Sequence, residues 1–409
     1  MRPSLIRRAS VAALVLAATV TPALAAGPGG STRTDTATRT DTASRTAVRT
    51  GIAVKSAVGA KARLLGEKIV PHKLGFQDTT VGGLSGIDRN PCTGEYVMIS
   101  DDRSNLQPAR FYTARVRVDG AGVHSVDFTG THPFLQPDGS VHPPVSAGDG
   151  RAVDPEEIRV DPWTCRYWWA QEGERPKSPD QPVIQPSIRF AGRSGSYLGQ
   201  LPLPAAYEVT LGDRGPRRNK AIEAITFGEG GRVLTSAVEG PLLQDGPEPT
   251  LEQGAMARVT RQGRGGDVLG QYAYPVERIF TASDPSSPWP PDTGVPSILA
   301  FPEDPSRYLV LERTWVAGSG YKIRLYDATT RGATDVRTFG SLAGRDVRPM
   351  RKSLVVDFHD LGLSTVDNTE GMTWGPTLPG GERTLVLVSD DNFADDAVTQ
   401  FVALGIRTR

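Results

Sequence analysis

The sequence predicts an all-β protein, a β-propeller of four-stranded antiparallel blades, with six blades favoured and five possible. Two observations lead to this fold. A hairpin-like segment recurs five times at a nearly constant spacing, and the chain from about residue 62 onward alternates short strand patterns with Gly/Pro turns. Sheets repeated in this way pack radially in propellers. A pair of β-sandwiches is the competing architecture, but sandwiches do not require such a repeat.

The chain begins with the pattern of a secretory signal peptide. Arg7 and Arg8 precede a short apolar run, and a small-x-small site ends at Ala25. The run is too short for a membrane span, which needs about 20 apolar residues. Removing residues 1–25 takes away three arginines and leaves 43 basic against 46 acidic residues. We therefore expect a secreted monomer that neither spans a membrane nor binds nucleic acid, since nucleic-acid binding calls for a strongly basic face.

Residues 26–61 form a Thr-, Arg- and Asp-rich leader of low complexity without aromatic residues. Such a segment cannot bury enough apolar surface to offset chain entropy, so we expect it to be disordered. The propeller domain is expected at 62–409. The strand pattern of residues 62–70 is expected to pair with the C-terminal strands, closing a sixth blade and hiding the sheet edges.

Each of the five repeats reads as a β-hairpin whose open end carries polar residues. The matching positions, separated by 72, 66, 74 and 73 residues, are Ser85, Glu157, Glu223, Ser297 and Glu370. Because a hairpin brings its two free ends together, acidic residues at both ends should share one edge of each blade. If the hairpin is the inner strand pair of a blade, these edges surround one mouth of the central channel.

Cys92 and Cys165 both fall in the turn of their hairpins. If successive repeats are neighbours, the two turns lie on one rim, and exported proteins commonly carry disulfides. We predict a Cys92–Cys165 disulfide, with two free thiols as the alternative. Two lone cysteines do not make a metal site.

Carboxylates cluster at the expected mouth of the channel. Those assigned as metal ligands are Glu157, Glu223, Glu239, Glu312, Glu370, Asp390 and Asp391, and those expected on the same face are Asp101, Asp102 and Glu172. So many acids would repel one another unless cations neutralised them, and flexible oxygen ligands suit Ca²⁺. For any single carboxylate a turn cap or a place in a solvated rim is the favoured explanation, and the metal site is predicted from the set as a whole.

Basic residues stand beside the same hairpin ends, namely Arg103, Arg175, Lys220 and Arg313. A metal ion with arginines is the combination that binds and activates a phosphate ester. The residues assigned to catalysis are Glu370, Glu223, Arg103, Arg313 and His359. The segment Pro285–Pro291, with Trp289, is expected to be an ordered loop over one face.

The C-terminal repeat resembles the bacterial exported "esterase-like activity of phytase" family. The resemblance is carried by Asn368, Glu370 and Gly371, by the Ser389–Phe393 segment, and by stretches between about Gly82 and Phe401. It implies a β-propeller, an exported location and a link to calcium-dependent phosphoester hydrolysis. The family pattern brings Glu223, Glu370, Asp390 and Asp391 to the site, and the repeat adds Glu157, Glu239 and Glu312.

The first functional hypothesis is a secreted, Ca²⁺-dependent phosphoric ester hydrolase that uses metal-activated water and acts on a small molecule. The alternatives are a calcium propeller that cleaves carboxylic esters or lactones, and a non-enzymatic extracellular propeller that binds a ligand on its face. Phosphoester chemistry needs the basic residues near the metal, whereas lactone chemistry needs mainly the carboxylates and a base.

Overall fold

The structure, a computed structural model, describes residues 59–408. The expected signal peptide and all but the last residues of the expected leader lie outside the described residues. Nearly all regular structure within residues 59–408 is β-strand, joined by loops and five short 3₁₀ turns: Val145–Ala147, Ala205–Tyr207, Glu229–Gly231, Leu243–Asp245 and Phe358–Asp360. In this part of the chain we find no helix that is long and apolar enough to cross a membrane.

The strands form five four-stranded antiparallel sheets and one small two-stranded ribbon. The N-terminal strand β1 (Lys61–Ile69) precedes the ribbon of β2 (Gly75–Phe76) and β3 (Thr79–Thr80). The strands of the first three blades follow in chain order. They are β4 (Leu84–Arg89), β5 (Tyr96–Ser100), β6 (Arg110–Asp119), β7 (Gly122–Pro133), β8 (Pro155–Val160), β9 (Tyr167–Gln171), β10 (Ser187–Ala191), β11 (Tyr197–Leu201), β12 (Ile222–Gly228), β13 (Val233–Val238), β14 (Ala255–Gly263) and β15 (Val268–Val276).

The last two blades complete the ring. Their strands are β16 (Asp292–Phe301), β17 (Asp304–Val316), β18 (Gly320–Thr329), β19 (Arg351–Asp357), β20 (Thr369–Thr377), β21 (Arg383–Ser389) and β22 (Gln400–Arg407). The first strands of the five blades, β4, β8, β12, β16 and β20, contact one another in sequence around the centre, and β20 contacts β4. The five predicted hairpins are therefore the inner strand pairs of a five-bladed β-propeller.

The prediction of six blades is wrong. Strand β1 pairs antiparallel with β22, with Lys61 opposite Arg407 and Ile69 opposite Gln400. The pairing itself was expected, but it supplies the outermost strand of the blade that β20, β21 and β22 already form. The strand that was expected to begin a sixth blade instead completes the fifth, and it hides the edge of β22.

The predicted disulfide is present. Cys92 and Cys165 are bonded and join the hairpin turns of the first and second blades. Because the turns lie at the closed ends of the hairpins, the bond is on the face opposite the open, acidic ends.

Apolar side chains fill the space between neighbouring blades. One cluster packs Ile225 of β12 against Ile298 of β16, and another packs Leu325 of β18 against Leu387 of β21. The centre of the ring is polar. There Arg159 of β8 donates hydrogen bonds to the carbonyl oxygens of Ile225, at 2.8 Å, and Ile298, at 3.4 Å. This guanidinium ties three inner strands together across the axis.

Candidate active site

The open ends of the hairpins surround a cavity of about 710 Å³, here named the axial cavity. Charged side chains from every blade line it. The acidic ones are Asp101, Asp154, Glu156, Glu223, Glu248, Asp292, Glu370 and Asp390, and the basic ones are Arg103, Arg218, Lys220 and Arg313. Three aromatic residues, Trp289, Trp315 and Tyr321, also contribute to the wall. The loop that contains Trp289 therefore does lie over this mouth of the channel.

Each inner strand has a β-bulge, and in the second, third and fifth blades the bulged side chain lines the cavity. In every blade the pairing register of the inner strand with the second strand shifts by one residue near the mouth. The bulged residues are Ser85, Glu156, Glu223, the pair Val295 and Pro296, and Glu370. A bulge leaves a residue out of the ladder and reorients its side chain, and bulges are frequent beside active sites.

A second set of side chains comes from the end of the second strand in each blade. The equivalent residues are Asp101, Glu172, Glu239, Arg313 and Asp390. In the acidic members the backbone N–H donates a hydrogen bond to a backbone carbonyl at or just before the start of the inner strand. Glu239, for example, donates to the carbonyl of Ala221 at 2.7 Å, and Asp390 donates to that of Asn368 at 2.9 Å. The fourth blade alone puts a cation at this position.

The carboxylates are close enough to share a cation. Carboxylate oxygens of Asp154, Glu156 and Glu172 lie within 4.8 Å of one another, and so do those of Glu172, Glu223 and Glu239. Glu172 belongs to both groups, so the second and third blades carry a continuous row of five acids.

Burial and mutual repulsion dominate the electrostatics of these acids. Burial, followed by the charges of neighbouring carboxylates, raises the pKa values of Glu156 and Glu223 well above their usual range. Burial also raises the pKa of Glu370 to about 7, although the nearby Arg313 acts in the opposite direction. The charged forms of these groups are therefore costly in the absence of additional cations.

The basic residues of the cavity are paired with part of the acidic set. Lys220 Nζ lies 2.7 Å from Glu239 Oε2 and also contacts Asp292. Arg313 binds Glu239 at 2.8 Å and Asp292 at 3.1 Å. Despite burial, these two cations hold the pKa of Asp292 below its usual range. Arg103 pairs with Asp154 at 2.6 Å. Glu223 has no such partner among the described residues.

Glu157, one of the expected ligands, does not face the cavity. It is fully buried, 2.7 Å from the Nη2 atom of Arg159 and 2.8 Å from the hydroxyl of Ser297. Burial raises its pKa to about 8. The bulge is at Glu156, so the side chain of Glu157 lies on the opposite side of the strand from that of Glu156. In the second blade, the residue equivalent to Glu223 and Glu370 is therefore Glu156. Glu157 forms part of the polar centre.

Glu312 and Asp391 are also directed away from the axial cavity. Glu312 neighbours Arg313 on β17 and therefore faces the opposite side of the sheet, where it accepts a hydrogen bond from Tyr274 at 2.7 Å and pairs with Lys352. Asp391 accepts hydrogen bonds from the backbone N–H groups of Gly83, at 2.9 Å, and Phe393, at 3.1 Å.

The paired aspartates after the second strands divide their roles in two blades. Asp101 and Asp390 line the cavity, while their successors secure loops. Asp102 accepts hydrogen bonds from the backbone of the Asn105–Gln107 turn and binds Arg110 at 2.7 Å. The turn-capping explanation thus holds for the second aspartate of each pair.

His359 and Arg175 lie outside the axial cavity. His359 is exposed on the last 3₁₀ turn, and its Nε2 lies 3.0 Å from the carbonyl oxygen of Tyr321. Arg175 donates to backbone carbonyls of the loop before β12, including Pro216 at 2.8 Å. The expected residues that the structure does bring together are Glu223, Glu239, Glu370, Asp390, Arg103, Arg313, Asp101, Glu172 and Lys220.

Sequence reasoning missed several cavity residues, among them Asp154, Glu156, Asp292 and Asn368. Asp154 and Asn368 occupy the same position in their blades. Their backbone carbonyls accept hydrogen bonds from the backbone N–H groups of Glu172 and Asp390, respectively. That correspondence could have been found by aligning the residue before each inner strand. Asp292 had no such signal, because it stands outside the repeated hairpin motif.

The oxygen donors of the cavity fit a hard divalent cation. Asn368 is 3% exposed, and its amide nitrogen donates to Glu370 and Asp390, while its Oδ1 accepts no hydrogen bond from the described residues. Carboxylate and amide oxygens are the ligands that Ca²⁺ prefers. In the part of the chain that the structure describes, no cysteine or histidine lines the cavity, so the donor set is not one for zinc or copper.

Comparisons with known proteins place the chain in a family. Among solved structures, the chain resembles a Dos1 propeller with 6% sequence identity and a TM-score of 0.31. The alignment spans 79% of this chain and 68% of the Dos1 chain. The periplasmic gluconolactonase PpgL of Pseudomonas aeruginosa is 11% identical over 78% of this chain and 85% of its own, also with a TM-score of 0.31. These likenesses are too weak to carry an argument about activity. No curated protein sequence matches. The model of the phytase-like family, described as "esterase-like activity of phytase", matches residues 79–393, and the chain belongs to this family.

Proposed function

We propose that this protein is a secreted, Ca²⁺-dependent ester hydrolase that acts on phosphoric monoesters. The observation that carries the proposal is the excess of carboxylates over cations in one cavity of a phytase-like propeller. Buried acids in such excess are stable as anions only with bound cations. An anionic substrate could approach the cavity only after bound cations had neutralised these carboxylates.

The metal ligands proposed are the row of acids on the second and third blades. Glu172, Glu223 and Glu239 would hold one ion, and Asp154 and Glu156 with Glu172 would hold another. Bound Ca²⁺ would supply the positive charge that polarises a phosphoryl oxygen and lowers the pKa of water. Asp390 and the amide oxygen of Asn368 offer further oxygen ligands near the fifth blade.

Glu370 is the proposed general base. Its pKa of about 7 lets the carboxylate accept a proton from an attacking water near neutral pH. The new P–O bond forms from the water oxygen, the bond to the alcohol oxygen breaks, and the departing alkoxide takes a proton from solvent water. Arg313, next to Glu370, keeps enough of the carboxyl ionised for this role.

Two arginines have donors left for the substrate. Among the described residues, the buried Nε of Arg103 has no hydrogen-bond acceptor, and the buried Nε of Arg313 has only the long contact of 3.4 Å with Glu370 Oε1. A phosphoryl group that reached either atom would accept a charge-assisted hydrogen bond from it. Arg218, with 43% of its side chain exposed, stands at the rim, where its Nε is paired with Glu174 at 2.6 Å.

Hydrolysis of carboxylic esters or lactones is the second candidate. Arg313 and Lys220 are already paired with Glu239 and Asp292, so little positive charge remains for a doubly charged phosphate. A neutral ester would need only one cation and the base Glu370. The non-enzymatic alternative predicts ligand binding without turnover.

Three assays distinguish these functions. The purified protein would be tested on p-nitrophenyl phosphate, phytate and p-nitrophenyl acetate, first with Ca²⁺ and then with a chelator. We expect release of phosphate that the chelator abolishes. Turnover of the acetate alone would support the esterase, and absence of turnover on all three substrates with Ca²⁺ present would contradict the enzymatic proposals.

A further inference from the structure

A second cavity lies beside the axial cavity. It measures about 370 Å³, and the two cavities share Glu248, Pro290, Pro291 and Asp292 in their walls. We name it the adjoining cavity. The shared wall places it next to the fourth blade, on the side of the axial cavity that Arg313 and Lys220 line. A ligand held by those cations would therefore have its remainder within reach of this cavity.

The adjoining cavity differs in chemistry from the axial one. Among residues 59–408, no lysine or arginine lines it, and apart from the shared Glu248 and Asp292 its polar groups are neutral hydroxyls and backbone. Pro249, Leu251, Ile279 and Ala282 form its apolar part. Leu251 is 40% exposed. Covering this surface with an apolar group would be favourable at about 25 cal/mol per Å².

Trp289 extends the apolar surface to the mouth of the axial cavity. Its side chain is 69% exposed, although it lines the cavity wall. It stands between Pro288 and Pro290 in the sequence, and the two prolines restrict the backbone of this segment. An exposed indole beside a binding cavity is suited to stack on an apolar or aromatic ligand.

We infer that the adjoining cavity and Trp289 bind the alcohol part of the substrate, and that this part is an aryl or similarly bulky apolar group. The inference rests on the proposed hydrolase function and narrows its substrate class. The charged head of the ester would lie against Arg313 and Glu370, with the apolar group beyond the shared wall. Phytate, whose arms are all charged, would gain nothing from this surface.

The test compares two phosphoric esters, 1-naphthyl phosphate and glycerol 2-phosphate, in variants of the apolar surface. For Leu251→Ser and Trp289→Ala we expect kcat/KM for the naphthyl ester to fall about 10-fold or more, the range for losing contact with an apolar group. We expect little change for glycerol 2-phosphate. Taking the ratio of variant to wild type removes the difference in leaving-group reactivity.

Matched variants serve as controls. Leu269 on β15 is 46% exposed and Trp163 in the turn after β8 is 57% exposed, and neither lines either cavity. Leu269→Ser and Trp163→Ala should leave both substrates unaffected. Equal losses on the two esters in the cavity variants, or no loss on either, would overturn the inference while leaving the hydrolase function intact.

Calorimetric titration with 1-naphthol keeps the inference testable if the protein proves not to hydrolyse esters. Saturable binding that Leu251→Ser and Trp289→Ala weaken, and that the control variants retain, would support the apolar site on its own. Absence of saturable binding to the wild-type protein would refute it.

Discussion

The Nε atom of Arg313 lies 3.4 Å from Oε1 of Glu370, across the boundary between the fourth and fifth blades. Arg313 occupies the position that Asp101, Glu172 and Asp390 occupy in other blades. The ring of charges is therefore asymmetric. Acids concentrate on the second and third blades, while a cation stands beside the carboxyl group that titrates near neutrality. This asymmetry separates a region suited to metal from one suited to the reacting ester.

Replacing Glu370 with Gln should lower kcat by about 100-fold or more, the usual contribution of a general base. Because the carboxyl must be ionised to accept a proton, wild-type activity should rise with pH through about 7, the pKa of this group. The variant should lose that rise. Glu303→Gln, at an exposed ion pair with Arg383, is the control and should keep the wild-type profile. An unchanged profile in the Glu370 variant would exclude it as the base.

The neighbours Glu156 and Glu157 should respond in opposite ways to substitution by Gln. Above about pH 8, where the Glu157 carboxyl is ionised, Glu157→Gln leaves the buried Arg159 charge unpaired, which should cost about 3–5 kcal/mol of unfolding free energy. Glu156→Gln removes a carboxylate whose pKa burial already raises, so stability in chelator should be unchanged or higher while the affinity for Ca²⁺ falls. Urea unfolding in chelator and calcium titration of the folded protein measure the two effects. Similar behaviour of the two variants would contradict the placement of the bulge.

Without metal, the protein should lose stability as the pH rises from about 4.5 to 8. The folded-state pKa values of Asp154, Glu370 and Glu157 are raised to about 6, 7 and 8, chiefly by burial. In this window the unfolded chain has released protons that the folded protein retains, so ionisation favours unfolding. Calorimetry should show a lower Tm at pH 7.5 than at pH 5.5 in chelator. Ca²⁺ should raise the Tm more at pH 7.5. A Tm that rises with pH in chelator would show that the acids are compensated by the protein itself.

Removing the Cys92–Cys165 bond should destabilise the propeller by about 2–4 kcal/mol. The bond joins residues 73 positions apart and ties the first two blades together. The double variant with serine at both positions, compared with wild type in urea unfolding, measures the loss. A reducing agent should lower the wild-type midpoint and leave the double variant unchanged. Equal midpoints for the two oxidised proteins would show that blade packing alone holds this boundary.

The repeated hairpins made the propeller predictable, because each copy combines an apolar strand, a turn and a polar end. The number of blades did not follow from the same evidence. The strand pattern of residues 62–70 fits the edge of a sixth blade and the edge of the fifth equally well. Only the register, with Ile69 opposite Gln400, shows that this strand completes the fifth blade.

The site was predictable as a region and only partly as a set of residues. The convergence of Glu223, Glu370 and Asp390 follows from hairpin geometry. A bulge, however, changes which of two adjacent side chains faces the axis. Hairpin geometry alone does not distinguish Glu156 from Glu157, and only the alignment of Asp154 with Asn368 assigns Glu156 to the position of Glu370. Glu312 and Arg313 pose the same problem, since strand alternation sends one of them to each side.

The pairing of β1 with β22 has a consequence for synthesis of the protein. The N-terminal strand emerges from the ribosome first, yet its partner, Gln400–Arg407, is translated almost last. The fifth blade therefore cannot be completed until the end of the chain has been made. A product that terminates before residue 400 would carry two unpaired strand edges, the feature that promotes aggregation between chains.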